Sequence, residues 1–277
     1  MLGLKARSTW FPQVQRPEPL IVRTNNQKQE WSDHDSYRDR LAGTARAFRA
    51  NWPLSIGLIG AQEVGDTVPG NSGGTDENVR GIDCFAQALG TEFRTETRAA
   101  GDHAIGIVVG HPWCIESTEI WEIGKESWKR WTFPGGRGRR YLLETLISNR
   151  VKPWYLRFYS THLSHGEVQR KQRKTQARKI ASIIRERPQA GELPPILVGD
   201  FNATAEGEPD VFTEIAGLFQ LAHARDYDQI WTGRGSSFPQ CKGGYRLLGV
   251  DVVDLVAQGL SDHDAPVTAF QIACPQT

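Results

Sequence analysis

Ile196-Leu197-Val198-Gly199-Asp200-Phe201-Asn202-Ala203 is an apolar run that ends in a glycine, a carboxylate and an amide. A short apolar run of this kind reads as a buried strand. Its polar end then faces the loops at a sheet edge, where sites are built. The same form recurs along the chain. Ile56–Gln62 is a second apolar run, ending in Gln62-Glu63, and Tyr155–His162 ends in Thr161-His162. Tyr227-Asp228 opens a further strand, and Ser261-Asp262-His263 precedes the last one. Taken singly, each fragment has an ordinary reading. Glu63 is a residue after a strand, His162 a hydrogen-bonded structural histidine, Asp200-Phe201-Asn202 an Asx-turn and Ser261-Asp262-His263 a capped turn. Taken together, they put carboxylates, two histidines and an amide at strand ends, as a single cleft would require.

Outward from these fragments, strands alternate with amphipathic helices. Leu20–Thr24 reads as a strand, and Tyr37, Leu41, Ala45 and Phe48 give a helix over 35–51. A Gly-rich loop runs from Gly65 to Thr75, and Val79, Ile82, Phe85 and Leu89 mark a second helix. Strands follow at Ala104–Val109, Ser117–Glu122 and Tyr141–Ile147. Glu167 to about Glu186 is a third helix, and Val211, Ile215, Leu218 and Phe219 mark a short fourth. Tyr227–Trp231, Val250–Val256 and Ala265–Ile272 close the chain as strands. Interspersed helices with several adjacent strands predict two packed mixed sheets with helices outside. No internal repeat, low-complexity segment or linker divides the chain, so one domain is expected over 19–277. The polar, Pro-bearing residues 1–18 read as a flexible N-terminal arm.

Composition excludes several function classes. The 277 residues are 39% hydrophobic and 23% charged, enough for a sizeable core. With 33 Lys+Arg against 32 Asp+Glu, the chain is neither a polybasic nucleic-acid coat nor an acidic tail. No apolar run approaches the ~18 residues of a membrane span. The first residues lack the apolar stretch of a signal peptide, although a mature form with its leader removed would read the same way. Cys84, Cys114, Cys241 and Cys274 form no CxxC pair, which excludes a zinc ribbon and a thioredoxin-type site. Buried free thiols and one or two disulfides in an exported protein both fit their spacing.

The fragments have the order and setting of one known pattern. Arg23-Thr-Asn-Asn26, Ala61-Gln-Glu63-Val, Ser160-Thr-His162-Leu, Val198-Gly-Asp200-Phe-Asn202-Ala, Tyr227-Asp228-Gln-Ile230 and Leu260-Ser-Asp262-His263 resemble the endonuclease/exonuclease/phosphatase superfamily, with its deoxyribonuclease I-like fold. Gly-Asp-Phe-Asn and Ser-Asp-His are the specific parts, and the match spans nearly the whole chain. The resemblance implies a four-layer α/β/β/α sandwich, Mg²⁺ or Mn²⁺, and hydrolysis of a phosphate ester by in-line attack of water. It implies Glu63 as metal ligand, supported by Asn26, with Asp262 on the same or a second ion. Hard oxygen donors of this kind suit such a cation. Asp200 and Asn202 resemble the pair that orients the attacking water and holds a phosphate oxygen. His263 resembles the general base or phosphate contact, and Asp228 the carboxylate that fixes its tautomer. His162 matches the histidine of the deoxyribonuclease, sphingomyelinase and deadenylase branches, which bonds the phosphate or protonates the leaving oxygen. It argues against the abasic-site repair branch. Arg140, ahead of Arg139 in preference, matches an arginine that reaches a phosphate. Asp102-His103 lie near the place of a carboxylate partner for the histidine.

Substrate choice has separate signals. Gly65 stands where pancreatic-type deoxyribonuclease carries a groove-reading arginine, which weakens the case for duplex DNA. Arg170 to Lys179 holds six basic residues in ten, most expected to face water from a helix buried along Ala177, Ile180 and Ile184. The 128–140 loop interleaves Trp128, Trp131 and Phe133 with cations, which suits base stacking, with Trp131 as the substrate contact, or docking at a membrane interface. The leading expectation is a metal-dependent nuclease acting on DNA or RNA. The second is a phosphatase or sphingomyelinase-type phosphodiesterase of the same fold, acting on inositol phosphates, phospholipid or small phosphate esters. A non-catalytic binding module comes last, because it has no need to hold unpaired carboxylates in a cleft.

Overall fold

The computed structural model describes residues 19–26, 34–51, 57–63, 81–90, 94–98, 105–125, 139–187, 192–241 and 243–273. The proposed arm 1–18, the loop over 65–75, Asp102-His103, Cys274 and most of the 128–140 segment, Trp131 included, lie outside them.

The strand that carries the Gly-Asp-Phe-Asn motif is β8, and it shows why its sequence is apolar on both faces. It is buried along its whole length, and its neighbours cover both edges. We number the strands β1 Leu20–Asn26, β2 Leu58–Gln62, β3 Arg94–Arg98, β4 Ile105–Val109, β5 Trp113–Lys125, β6 Arg139–Asn149, β7 Tyr155–His162, β8 Leu193–Asp200, β9 Phe219–Arg225, β10 Asp228–Gly233, β11 Gly244–Val253 and β12 Ala265–Ala273. The helices are α1 His34–Asn51, α2 Gly81–Leu89, α3 Arg170–Glu186 and α4 Pro209–Leu218. Two six-stranded mixed sheets result, ordered β11-β12-β1-β2-β4-β3 and β5-β6-β7-β8-β10-β9.

Each sheet has one parallel pair at its centre, β1 with β2 and β7 with β8. A parallel pair needs a long crossover, and α1 and α3 supply it. Around these units the two sheets repeat one order, β1-β2-β4-β3 in one and β7-β8-β10-β9 in the other. The sequence carries no visible trace of this repeat.

Three apolar layers hold the sandwich. Phe48 and Leu41 of α1 and Phe85 of α2 pack on Ile21, Ile59 and Val267 of the first sheet. Ala177, Ile180 and Ile184 of α3 and Phe212 of α4 pack on Tyr159 and Leu197 of the second. Val22, Leu58, Phe158, Val198 and Ile230 fill the space between the sheets. Each fully buried Leu, Ile or Phe contributes about 1.5–3 kcal/mol. Gly60 lets the sheets meet closely, since a Cβ there would stand 2.2 Å from Val198 Cγ2. The expected four-layer α/β/β/α sandwich is therefore the observed one, and the described residues form one packed unit.

Two strands go beyond the sequence reading. β3 and β9 were unread, and Phe219, assigned to the fourth helix, instead opens β9. On α3, Arg173 departs from the expected solvated charges. It shares the face of Ala177, Ile180 and Ile184, is 1% exposed and pairs with Glu208. Cys84, Cys114 and Cys241 are free thiols, half-buried rather than buried.

Candidate active site

Strand direction brings the motif residues to one rim. β2, β7 and β8 end there, at Gln62, His162 and Asp200. β10 runs antiparallel to β8 and so begins there, at Asp228. β12 is antiparallel to β1, which puts the preceding Asp262-His263 at the same rim. Side-chain alternation then decides which way each residue looks. Phe158, Val198 and Ile230 line the space between the sheets, and His162, Asp200 and Asp228 keep their parity. Strand pairing sets those three side by side, with His162 opposite Asp200 and Asp200 opposite Asp228.

His162 Nε2 lies 3.6 Å from Asp200 Oδ2 and 3.9 Å from Glu63 Oε1. Glu63 takes a left-handed backbone, φ 57°, which turns it out of β2. It comes from one sheet while His162 comes from the other. Between them runs a buried chain of hydrogen bonds. Thr24 Oγ1 donates to Gln62 Oε1 at 3.0 Å, and Gln62 Nε2 donates to Ser160 Oγ at 3.1 Å.

His263 Nδ1 donates to Asp228 Oδ2 at 2.6 Å, so this carboxylate does fix the imidazole's tautomer. Asp228 is fully buried, and its Oδ1 has no hydrogen-bond partner among the described residues. Burial pushes its carboxyl up to about 7, against the opposing bond from His263, and the Asp200 charge adds to the rise. For His263 burial pulls downward, but the bond to Asp228 and the charges of Asp228, Asp200 and Asp262 outweigh it and raise the imidazole to about 9. We take the pair at neutral pH as imidazolium beside carboxylate.

Asp200 Oδ1 accepts the Asn202 backbone N–H at 2.7 Å, the Asx-turn that the sequence suggested. Ser261 Oγ accepts the His263 N–H at 3.2 Å, a turn cap as the sequence suggested. Asp264, which sequence reasoning passed over, holds the loop of Asp262 and His263. It accepts the Leu255 and Val256 N–H groups and a bond from Arg225. A cleft of about 570 Å³ opens here, lined by Thr204, Arg225, Tyr227, Asp228, Asp262 and His263.

Other expected residues are placed differently. Arg140 is buried on the strand face of Leu142, which packs toward α3, and Tyr141 takes the face between the sheets. Arg139 is exposed and bonded to Glu122. Asn26 ends β1 at the rim, but its side chain is outside the described set. Among the described residues no three His, Cys, Asp or Glu side chains converge as a metal cage. The donor chemistry still fits a Mg²⁺-like ion, which is bound through one or two carboxylates plus waters and substrate phosphate. Glu63, with Asp262 on the cleft wall, provides such oxygens. Among the described residues no helix is long and apolar enough to cross a membrane.

No protein-family model and no curated protein matches the sequence. Solved structures do match in shape. The endonuclease/exonuclease/phosphatase of Bacteroides vulgatus superposes with TM-score 0.65 at 15% identity, covering 92% of this chain and 100% of that one. TDP2 of D. rerio, solved with a single-strand DNA product, gives 0.62 at 14%, covering 92% and 100%. The mannosyl-6-phosphatase of Bacteroides thetaiotaomicron gives 0.60 at 16%, covering 91% and 99%. The likeness is one of fold: this chain has the architecture those proteins share, the one its motifs implied.

Proposed function

We propose that this chain, built on the endonuclease/exonuclease/phosphatase fold, is a divalent-cation-dependent phosphodiesterase that cuts DNA or RNA. The observation that carries the reading is the pair of buried Asp228 with half-buried His263, standing next to Asp200 and His162 on one rim. A carboxylate and two imidazoles on one rim support a reading in which they surround a phosphate.

Glu63, Asn26 and Asp262 are the residues that would hold Mg²⁺ or Mn²⁺. Bound there, the ion polarises a phosphate oxygen as a Lewis acid. The chain's own groups do the rest. The Asp200 carboxylate accepts a proton from the attacking water. The water oxygen bonds to phosphorus as the opposite P–O bond breaks. His162 gives a hydrogen bond or proton to the departing oxygen. The His263 imidazolium and the Asn202 amide meet the charge on the non-bridging oxygens, usually the largest contribution in such a site.

Nucleic acid is the favoured substrate because Tyr227-Asp228-Gln-Ile230 resembles the deoxyribonuclease branch and the 128–140 segment mixes aromatics with cations. The TDP2 structure with its DNA product lends support from the same fold. Trp131 and Arg140 remain our candidates for substrate contact, Arg140 from its place at the start of β6. A small phosphate ester is the second reading, favoured by the size of the cleft and by the mannosyl-6-phosphatase of like fold.

The test is product release from supercoiled plasmid, single-stranded DNA, RNA, sphingomyelin, inositol polyphosphates and a sugar 6-phosphate, with Mg²⁺, Mn²⁺ or EDTA. We expect metal-dependent strand cleavage, abolished by EDTA and reduced at least ~100-fold by Glu63→Gln or His263→Ala. Phosphate or phosphocholine release with nucleic acid untouched would move the assignment to the second reading. Full activity in both variants would overturn the site.

A further inference from the structure

We infer that His165 is a positioning residue of this site: it sets the Asn202 amide so that one N–H stays aimed for a phosphate oxygen. The inference rests on the hydrolase reading above, and it adds a third imidazole that neither the motifs nor the mechanism used.

The assignment follows from which atoms can donate. Asn202 has two neighbours at its amide, the Leu163 carbonyl at 3.0 Å and His165 Nδ1 at 2.9 Å. A carbonyl only accepts, so the Asn202 atom facing Leu163 is Nδ2. Oδ1 therefore faces the imidazole. An amide oxygen also only accepts, so His165 Nδ1 carries the proton. Nδ2 has two hydrogens, and Leu163 takes one. Among the described residues nothing takes the other, which leaves it for a ligand. Rotating the amide by half a turn would bring Oδ1 against the Leu163 oxygen, a repulsive contact, and would break the bond from His165 Nδ1–H or force the imidazole into its other tautomer. The backbone beneath is fixed as well, by the bond from the Asn202 N–H to Asp200 and a φ of 48°.

His165 can serve this way only if its own loop is rigid, and the loop is clamped from α3. Buried Arg173 donates to the Ser164 and Gly166 carbonyls at 3.0 and 2.7 Å and forks onto Glu208. Gln176 accepts the Ser164 N–H at 3.0 Å and donates to Ser164 Oγ at 2.7 Å. The burial of Arg173 and Gln176 on the mostly apolar face of α3 thus has a purpose: they brace the loop between β7 and α3 that presents both Leu163 O and His165. His165 itself is exposed. It acts through Asn202.

The test is a double-mutant cycle on full-length protein, with bis(4-nitrophenyl) phosphate and an oligonucleotide as substrates. His165→Ala should lower kcat about 10-fold or more, with KM changed far less, because the lost order matters where charge develops. His165→Asn puts an amide N–H near the position of Nδ1 and should restore most of the rate. In an Asn202→Ala background, His165→Ala should cost less than about 2-fold, since residues acting as a unit are not additive. Equal kcat for His165→Ala and the parent, or losses that multiply, would overturn the inference. Should His165→Ala fail to fold, the comparison of His165→Asn with His165→Leu decides in the same way. If the parent hydrolyses no phosphodiester, the hydrolase reading falls by itself. The geometry is then read from the Asn202 side-chain NH₂ pair in ¹⁵N NMR. Exchange of these hydrogens with solvent should be slow in the parent and in His165→Asn but faster in His165→Ala, and an unchanged exchange rate in His165→Ala would sink the positioning role.

Discussion

The Asp228 carboxyl is buried, yet it is bonded to an imidazole that is only partly so, and this asymmetry makes the pair a pH-sensitive element. Both groups titrate above their ordinary values, to about 7 for Asp228 and about 9 for His263. The folded protein therefore holds these protons more tightly than the unfolded chain. For His263 the stabilisation is complete below its unfolded value of 6.5 and is lost as pH rises through about 9. Asp228→Asn removes the charge that raises the imidazole. We expect the His263 titration to fall toward 6.5 by NMR. Thermal melts from pH 6.5 to 9.5 should lose a pH-dependent decline on the order of 2 kcal/mol. If the imidazolium is the working form, the alkaline limb of the kcat profile should move down by the same interval. An unmoved His263 titration would show that Asp228 is not its partner. The candidate residues legible in sequence were those at strand ends, such as Asp228 and His263, which the fold pairs. His165 was not legible, because it lies in the loop three residues past the end of β7 and outside every quoted motif, and only the fold brings it to Asn202.

At the scale of elements, Gly199 explains why the most specific motif begins with glycine. It stands between Val198 and Asp200 in β8, where β7 runs alongside in parallel. A Cβ there would lie 2.1 Å from the Thr161 carbonyl oxygen, which is backbone and cannot swing away. Gly199→Ala must push β7 and β8 apart at the point that aligns His162 with Asp200. We expect a loss of about 2–3 kcal/mol by denaturant unfolding, the scale of an overpacked core. Activity should fall further than stability explains, and wild-type turnover in the folded variant would contradict the alignment argument. The same local logic tells which elements sequence could reveal. Helices α1 to α4 and the buried central strands have periodic or continuous apolar patterns, and they were found within a few residues. β3 is Arg-Thr-Glu-Thr-Arg, an edge strand with no apolar face, held by its pairing with β4. β9 follows α4 with no intervening residue, so its first apolar residue continued the helical pattern and hid the boundary.

Across the whole molecule the site is divided between the sheets. Glu63, Asp262 and His263 come from the first sheet and its loops, and His162, Asp200, Asn202 and Asp228 from the second. The distances that matter, Glu63 to His162 and Asp228 to His263, are therefore set by how the sheets dock. Most of that docking is apolar and directionless. The Thr24–Gln62–Ser160 chain is different: it is buried, polar and directional, and it crosses the interface one residue from Glu63. It fixes the relative register of the sheets at the rim. Gln62→Ala would strand two buried hydroxyls and cost about 1–3 kcal/mol. A Gln62→Leu change of similar volume keeps the packing but not the direction. If the chain sets register, both variants should lose activity out of proportion to stability, by about 10-fold, as expected when a reacting group is displaced by a fraction of an ångström to 1 Å. The rate should be insensitive to added substrate, while binding of Mn²⁺ near Glu63, followed by paramagnetic broadening, should weaken. Retained turnover in Gln62→Leu would mean that apolar packing alone aligns the two halves and that the polar chain is only a filled cavity.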